Sequence, residues 1–163
     1  MNAPLPGNLR FDIQGLVLAI AHCHASDALS CKFSTPQWEI LAAYMQPSAL
    51  NSGRVLIEQG ATDRTLYFIE SGTLSVHYED EKSRIRMALV GPGSVVGEGA
   101  FFSHQPRSAT VQSSGDCKLW CLTPARFLEL ANRHSAIALE MTLALGAVMA
   151  RRLYIRPKRV AVT

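Results

Sequence analysis

Residues 66–78 read LYFIESGTLSVHY. Apolar and aromatic residues crowd both halves, and Ser71-Gly72 divides them, so the stretch reads as two β-strands around a Ser-Gly turn. The alternation within each half is imperfect. Working outward, Gly53, Gly60, Gly91, Gly93, Gly97, Gly99 and Gly115 punctuate the chain from Leu50 onward. Between them lie further strand-like runs: Arg54–Glu58, Arg84–Val90, Ser108–Gln112 and Lys118–Leu122, with Thr65–Glu70 and Thr73–Tyr78 as the opening pair. Short strands separated by glycine turns predict an antiparallel sandwich or barrel over about 50–122.

On both sides the texture is helical. Ile13, Leu16, Val17, Ile20 and Ala21 give a helical period within Phe11–His24. Ser34-Thr35-Pro36-Gln37 is a helix start, with a capping hydroxyl and a proline in the first turn; the helix is expected to end near Pro47. Thr123-Pro124 repeats that start for a short helix over Ala125–Asn132. A long helix over Ser135–Ile155 carries Ile137, Met141, Ala144, Leu145, Val148, Arg152 and Ile155 on one stripe. Leu139, Leu143 and Leu153 lie off it, so this helix is apolar on more than one side. One side can cover the barrel and another can meet a partner helix, or the whole helix can be buried in a monomer.

The chain has 163 residues, 48% hydrophobic and 18% charged. That suits one domain with a helical extension and a core that needs neither disulfide nor metal. Residues 1–10 read as a loose tail. The net charge of +3 is lower than a dedicated nucleic-acid binder usually carries. Its basic concentration, Arg151, Arg152, Arg156, Lys158 and Arg159, fits a solvated helix end and tail. No secretory pattern precedes the four cysteines, and Ile13–Ala21 is too short to span a bilayer. A cytoplasmic protein with reduced thiols and no membrane partner is expected. Cys117 and Cys121 lie on one face of a strand but too far apart for a disulfide. His77 and His104 are far apart, and His22-Cys23-His24 falls on different faces of a helix, so no metal site is expected. No nucleophile-elbow or Walker pattern occurs, so an enzyme is the least expected class.

The chemistry concentrates in GEGAFFSHQPRSATV, residues 97–111. Arg107 offers a planar cation suited to a phosphate. Gly97 and Gly99 open the backbone to an anion, and a helical turn at Ala100-Phe101-Phe102 adds amides. Ser108 adds a hydroxyl. Glu98 is the odd member; it suits a sugar hydroxyl, or it pairs with Arg107 across a loop. Phe101 and Phe102 suit core packing.

The order Gly-Glu, a small residue, two large apolar residues, then Pro-Arg-Ser-Ala-Thr-Val resembles the phosphate-binding cassette of cyclic nucleotide-binding domains, the modules of the bacterial cAMP receptor protein and of cyclic-nucleotide-dependent kinases and channels. Gly53–Ile57, Gly60 and Leu66–Leu74 are similar to the family's opening strands, and Gly91-Pro92-Gly93 to the turn before the cassette. The likeness runs from about Trp38 to Ile155. It implies a mainly β fold, an antiparallel β-roll of jelly-roll type, with N-terminal helices (tail and helix in 1–33), a domain over 34–155, C-terminal lid helices over 124–155 and a basic tail at 156–163. It implies cAMP or cGMP as ligand and no cofactor. Glu98 would accept the ribose 2′-hydroxyl and Arg107 would pair with the cyclic phosphate. Gly97, Ser108 and the Ala109 amide would complete the cradle, joined by Gly99 and Ala100 on the reading of the residues given above. Arg152, within a stretch similar to the receptor protein's dimer helix, would pair with Glu98, and Tyr154 is the candidate to cap the purine.

The sequence departs from the pattern in three ways. Gly99 stands for an aliphatic residue and Val96 for a phenylalanine. Arg156 and Pro157 stand where the receptor protein places hydroxyl residues for the base; proline is expected to end the helix there. Only residues 156–163 follow Ile155, too few for a helix-turn-helix, so no DNA binding is expected of this chain. The expected function is a cyclic nucleotide sensor signalling through its last helix to an unknown effector, with a homodimer possible through 135–155. The alternatives are a module that keeps the fold as a structural or protein-interaction scaffold, and one that binds a cyclic dinucleotide.

Overall fold

A computed structural model describes residues 11–83 and 85–160; the tail expected at 1–10 and residues 161–163 lie outside them. Among the described residues, eight strands form two four-stranded antiparallel sheets. The first has the order β1 (Gln46–Leu50), β8 (Cys117–Leu122), β3 (Leu66–Ser71), β6 (Val95–Val96). The second has β2 (Val55–Ile57), β7 (Thr110–Ser113), β4 (Leu74–Glu79), β5 (Ile85–Val90). The helices α1 (Ile13–Ala21), α2 (Thr35–Tyr44), α4 (Pro124–Arg133) and α5 (Ser135–Val160) flank this β-roll, and a short α3 (Glu98–Ser103) interrupts it.

The strands on either side of Ser71-Gly72 do not pair with one another. β3 pairs with β6 and β8, whereas β4 pairs with β5 and β7. The chain crosses from one sheet to the other at Gly72, whose φ is +89°. A side chain there would meet the Asp116 carbonyl and Cys117 Sγ, each at 2.5 Å. The imperfect alternation of 66–71 has the same origin. Leu66 and Phe68 enter the core shared with the helices, while Ile69 packs between the sheets with Leu74, Val96 and Leu119. A strand covered on both faces has no need of a polar side.

Two strands were not foreseen. α2 stops at Tyr44, and Gln46–Leu50 pairs with β8. Pro47 is tolerated because β1 is an edge strand. Val95-Val96 is too short to register as a periodic run. The helix starts are as the sequence suggests. Ser34 and Gln37 form a reciprocal capping box, and Thr123 Oγ1 accepts from the Arg126 amide. Trp38, Leu41, Leu130, Met141, Leu145 and Val148 join α2, α4 and α5 to the outer face of the first sheet. Pro157 does not end α5, which runs to Val160. A proline has no amide hydrogen to donate, and near a helix end this forfeits one backbone bond.

Candidate functional site

The site is built around α3. Gly97 caps that helix at φ +88°, and a side chain there would lie 2.6 Å from Arg107 Nη1 and 2.8 Å from the Thr65 carbonyl. The missing Cβ is what lets the arginine reach under the helix start. Glu98, Gly99 and Ala100 form the first turn, whose amides have no intrahelical acceptor. Gly99 is exposed and Ala100 buried. Phe101 is 5% exposed and packs edge-to-face on Phe102 and Phe127. Both rings belong to packing, Phe101 as the anchor of α3 in the helical core.

Arg107 is 3% exposed. Its Nε and Nη2 donate to the Asp63 carboxylate at 3.3 and 2.6 Å. Nη2 also donates to the Thr65 carbonyl at 2.7 Å, and Nη1 to the Gly97 carbonyl at 3.1 Å. Four of the five guanidinium donors are thus committed, leaving one N–H on Nη1. The hydrogen bond from Arg107, with its positive charge, holds Asp63 below the usual carboxylate range. The backbone joins the same two segments: Gly60 N–H donates to the Arg107 carbonyl, and Arg107 N–H to that of Ala61, both at 2.8 Å. Ser108 is exposed and Ala109 half-buried just beyond.

Glu98 and Arg107 do not pair. Glu98 Oε1 accepts from Arg152 Nη1 at 2.5 Å, so α5 is tied to the start of α3. Arg152 also donates from Nε to Asp27 at 2.7 Å and from Nη2 to the Val95 carbonyl at 2.9 Å. Burial opposes its charge, but Glu98 and Asp27 together outweigh that and raise its pKa. Tyr154 is not brought to this site. It is 81% exposed, and two positions along a helix turn it about 200° away from Arg152.

Three residues of the site were missed from the sequence. Asp63 anchors Arg107, and Arg64 donates to the carbonyls of Ala100 and Phe101, holding the far end of α3. Asp27 meets Arg152 from 125 residues away. The Asp63-Arg64 doublet, set between Gly60 and an apolar strand, was the available signal for the first two; Asp27 had none. Burial, with Glu140 beside it, pushes the Cys31 thiol up to about 12, and burial pushes that of Cys121 up to about 11. Among the described residues no cluster of His, Cys, Asp and Glu could hold a metal, and no helix is long and apolar enough to cross a membrane.

The family model of the cyclic nucleotide-binding domain matches residues 48–134, from β1 through α4. The chain is 33% identical over 75 residues to a cAMP-dependent protein kinase type II regulatory subunit of Drosophila melanogaster, covering 46% of this chain and 20% of that protein. It is 32% identical over 111 residues to the cAMP-activated global transcriptional regulator CRP of Escherichia coli, covering 67% of this chain and 51% of that protein. The chain therefore spans about a fifth to a half of these relatives. In fold it is similar to a cyclic nucleotide-binding domain of Methylobacillus flagellatus, with a TM-score of 0.80 at 20% identity over 91% of this chain and 82% of that one. With the cassette residues gathered around α3 and the family model spanning most of the β-roll, the chain belongs to the cyclic nucleotide-binding domain family.

Proposed function

We propose that this chain is a cyclic nucleotide sensor, with cAMP or cGMP as ligand and no catalytic role. The observation that carries it is Arg107: a guanidinium buried to 3% exposure, fixed by Asp63, Thr65 and Gly97, with one N–H left beside the first amides of α3. The cyclic phosphate pairs with that N–H and the cassette amides, with Ser108 and Ala109 at the rim. The ribose 2′-hydroxyl donates to Glu98, whose carboxylate keeps acceptor capacity beyond its bond to Arg152. The two relatives named above carry cAMP in their names, which favours adenine over guanine.

The signal leaves through α5, because Arg152 touches Glu98 directly. Occupancy can shift the helix only by the ligand's differential affinity for its two placements. The exposed side of α5 then reports the shift to a second copy or to an effector protein. A scaffold that binds no nucleotide is the second reading, and one fact favours it: both Glu98 and Arg107 have ionic partners within the chain.

Calorimetric titration with cAMP and cGMP tests the proposal, with Arg107→Lys alongside. Saturable binding is expected, weakened about tenfold or more by a lysine whose three donors cannot replace the four internal bonds of Arg107 and reach a phosphate as well. A cooperatively melting protein that takes up neither nucleotide refutes the sensor reading for both ligands and favours the scaffold.

A further inference from the structure

We propose that Asp27 is a positioning residue of the nucleotide site, acting on Glu98 through Arg152 and so making the segment between α1 and α2 part of the sensor. The inference rests on the sensor reading for its ligand, though not for its geometry. One guanidinium serves three elements along three donors: Nε to Asp27 at 2.7 Å, Nη1 to Glu98 at 2.5 Å and Nη2 to the Val95 carbonyl at 2.9 Å. The side chains of Arg152, Asp27 and Glu98 are 21%, 20% and 16% exposed, so solvent screens them only in part.

The segment that bears Asp27 is fastened to α5 at further points. Arg151 Nη1 donates to the Ala28 carbonyl, and the Lys32 amide donates to Glu140 Oε1, both at 2.9 Å. Leu29, 3% exposed, is sunk in the helical core between them. Asp27 is therefore a fixed anchor. A planar guanidinium needs more than one point to set its plane, and here Asp27 and Val95 set it while Nη1 aims at Glu98. Without Asp27 the Nε edge is left half-buried and unpaired, and the plane is free to swing off Glu98. The reverse also holds, since coupling between two sites is reciprocal: a ribose on Glu98 is felt at Asp27.

The test is a double-mutant cycle read by calorimetry with cAMP, on the full chain, using Asp27→Asn, Arg152→Met and the double variant. Amide hydrogen exchange on the ligand-free proteins runs beside it. Asp27→Asn is expected to weaken cAMP binding about three- to tenfold and to add nothing in the Arg152→Met background. It is also expected to speed exchange at residues 98–103 without ligand. Unchanged affinity, or the same loss in both backgrounds, overturns the inference; the second result would mark a through-space charge effect or a general loss of stability. If the unmodified protein binds no cAMP, the sensor reading fails by itself. Exchange then decides the coupling: faster exchange at 98–103 upholds the link, and an unchanged rate refutes it.

Discussion

Gly97 and Gly99 stand two positions apart and answer to different constraints. Gly97 has φ +88° and the Arg107 guanidinium against the place where a Cβ would sit. Gly99 lies within α3 and faces open space. Gly97→Ala is expected to lower stability by about 2 kcal/mol or more, through left-handed strain and a displaced arginine, and to abolish nucleotide binding. Gly99→Ala is expected to leave stability unchanged or raise it by about 0.5–1 kcal/mol, as alanine does within a helix. Chemical denaturation of both variants checks the contrast. Asp63 adds a pH signature. Its folded pKa lies below the ordinary value of 3.8, so the stability it contributes is present above that value. That contribution fades as pH falls through the lower folded pKa. Its side chain is 51% exposed, so the contribution is small, about 1 kcal/mol or less. The difference in unfolding free energy between the native chain and Asp63→Asn is expected to hold from pH 7 to about pH 4 and shrink below it. A difference that stays constant down to pH 2 refutes the assignment.

Among the elements, the crossing at Gly72 carries the most consequence, because it sends β3 and β4 into different sheets. A methyl group there meets a backbone carbonyl and a sulfur at 2.5 Å, neither at the end of a flexible chain. Gly72→Ala is expected to cost about 2–3 kcal/mol, seen as a lower denaturation midpoint with an unchanged slope. The sequence made the strands on both sides of this turn legible, but not that they part company, since a turn dipeptide reads the same in a hairpin and in a crossing. Helix starts were legible where capping is local, at Ser34 and Thr123. β1 and β6 were not: one contains a proline and no β-branched residue, and the other has two residues. The same division runs through the site. Gly97, Glu98 and Arg107 share one stretch and could be read together. Asp63 and Asp27 join it only through tertiary contact, across 44 and 125 residues, and local pattern carries no record of such distances. Tyr154 shows another limit: its place near the end of the last helix was legible, but not that its side chain is 81% exposed in one copy of the chain.

For the whole molecule, one apolar surface left uncovered among the described residues is the outer side of α5. Leu139, Leu143 and Leu153 are 61%, 63% and 64% exposed, and Gly146 and Ala150 between them are exposed as well. These five positions are spaced by four, three, four and three residues, the seam of two helices packed side by side. Nothing lies within 4 Å of where a side chain on Gly146 would start, so a second helix has room for close approach at the middle of the seam. The opposite side of α5 is already used, with Ile137, Met141, Leu145 and Val148 in the core and Arg152 on Glu98. A second copy of the chain presents the matching seam by symmetry, which makes a two-fold pair the simplest cover. Such a pair would couple two nucleotide sites, because each α5 holds a cassette on one side and its partner on the other. Sedimentation equilibrium at tens of micromolar is expected to give a dimer for the native chain and a monomer for Leu143→Glu. The monomer should melt within about 0.5 kcal/mol of a Leu143→Ala control, since an exposed position contributes little to the fold of one copy. A native chain that sediments as a monomer both with and without cAMP removes the dimer and leaves the seam to an effector protein.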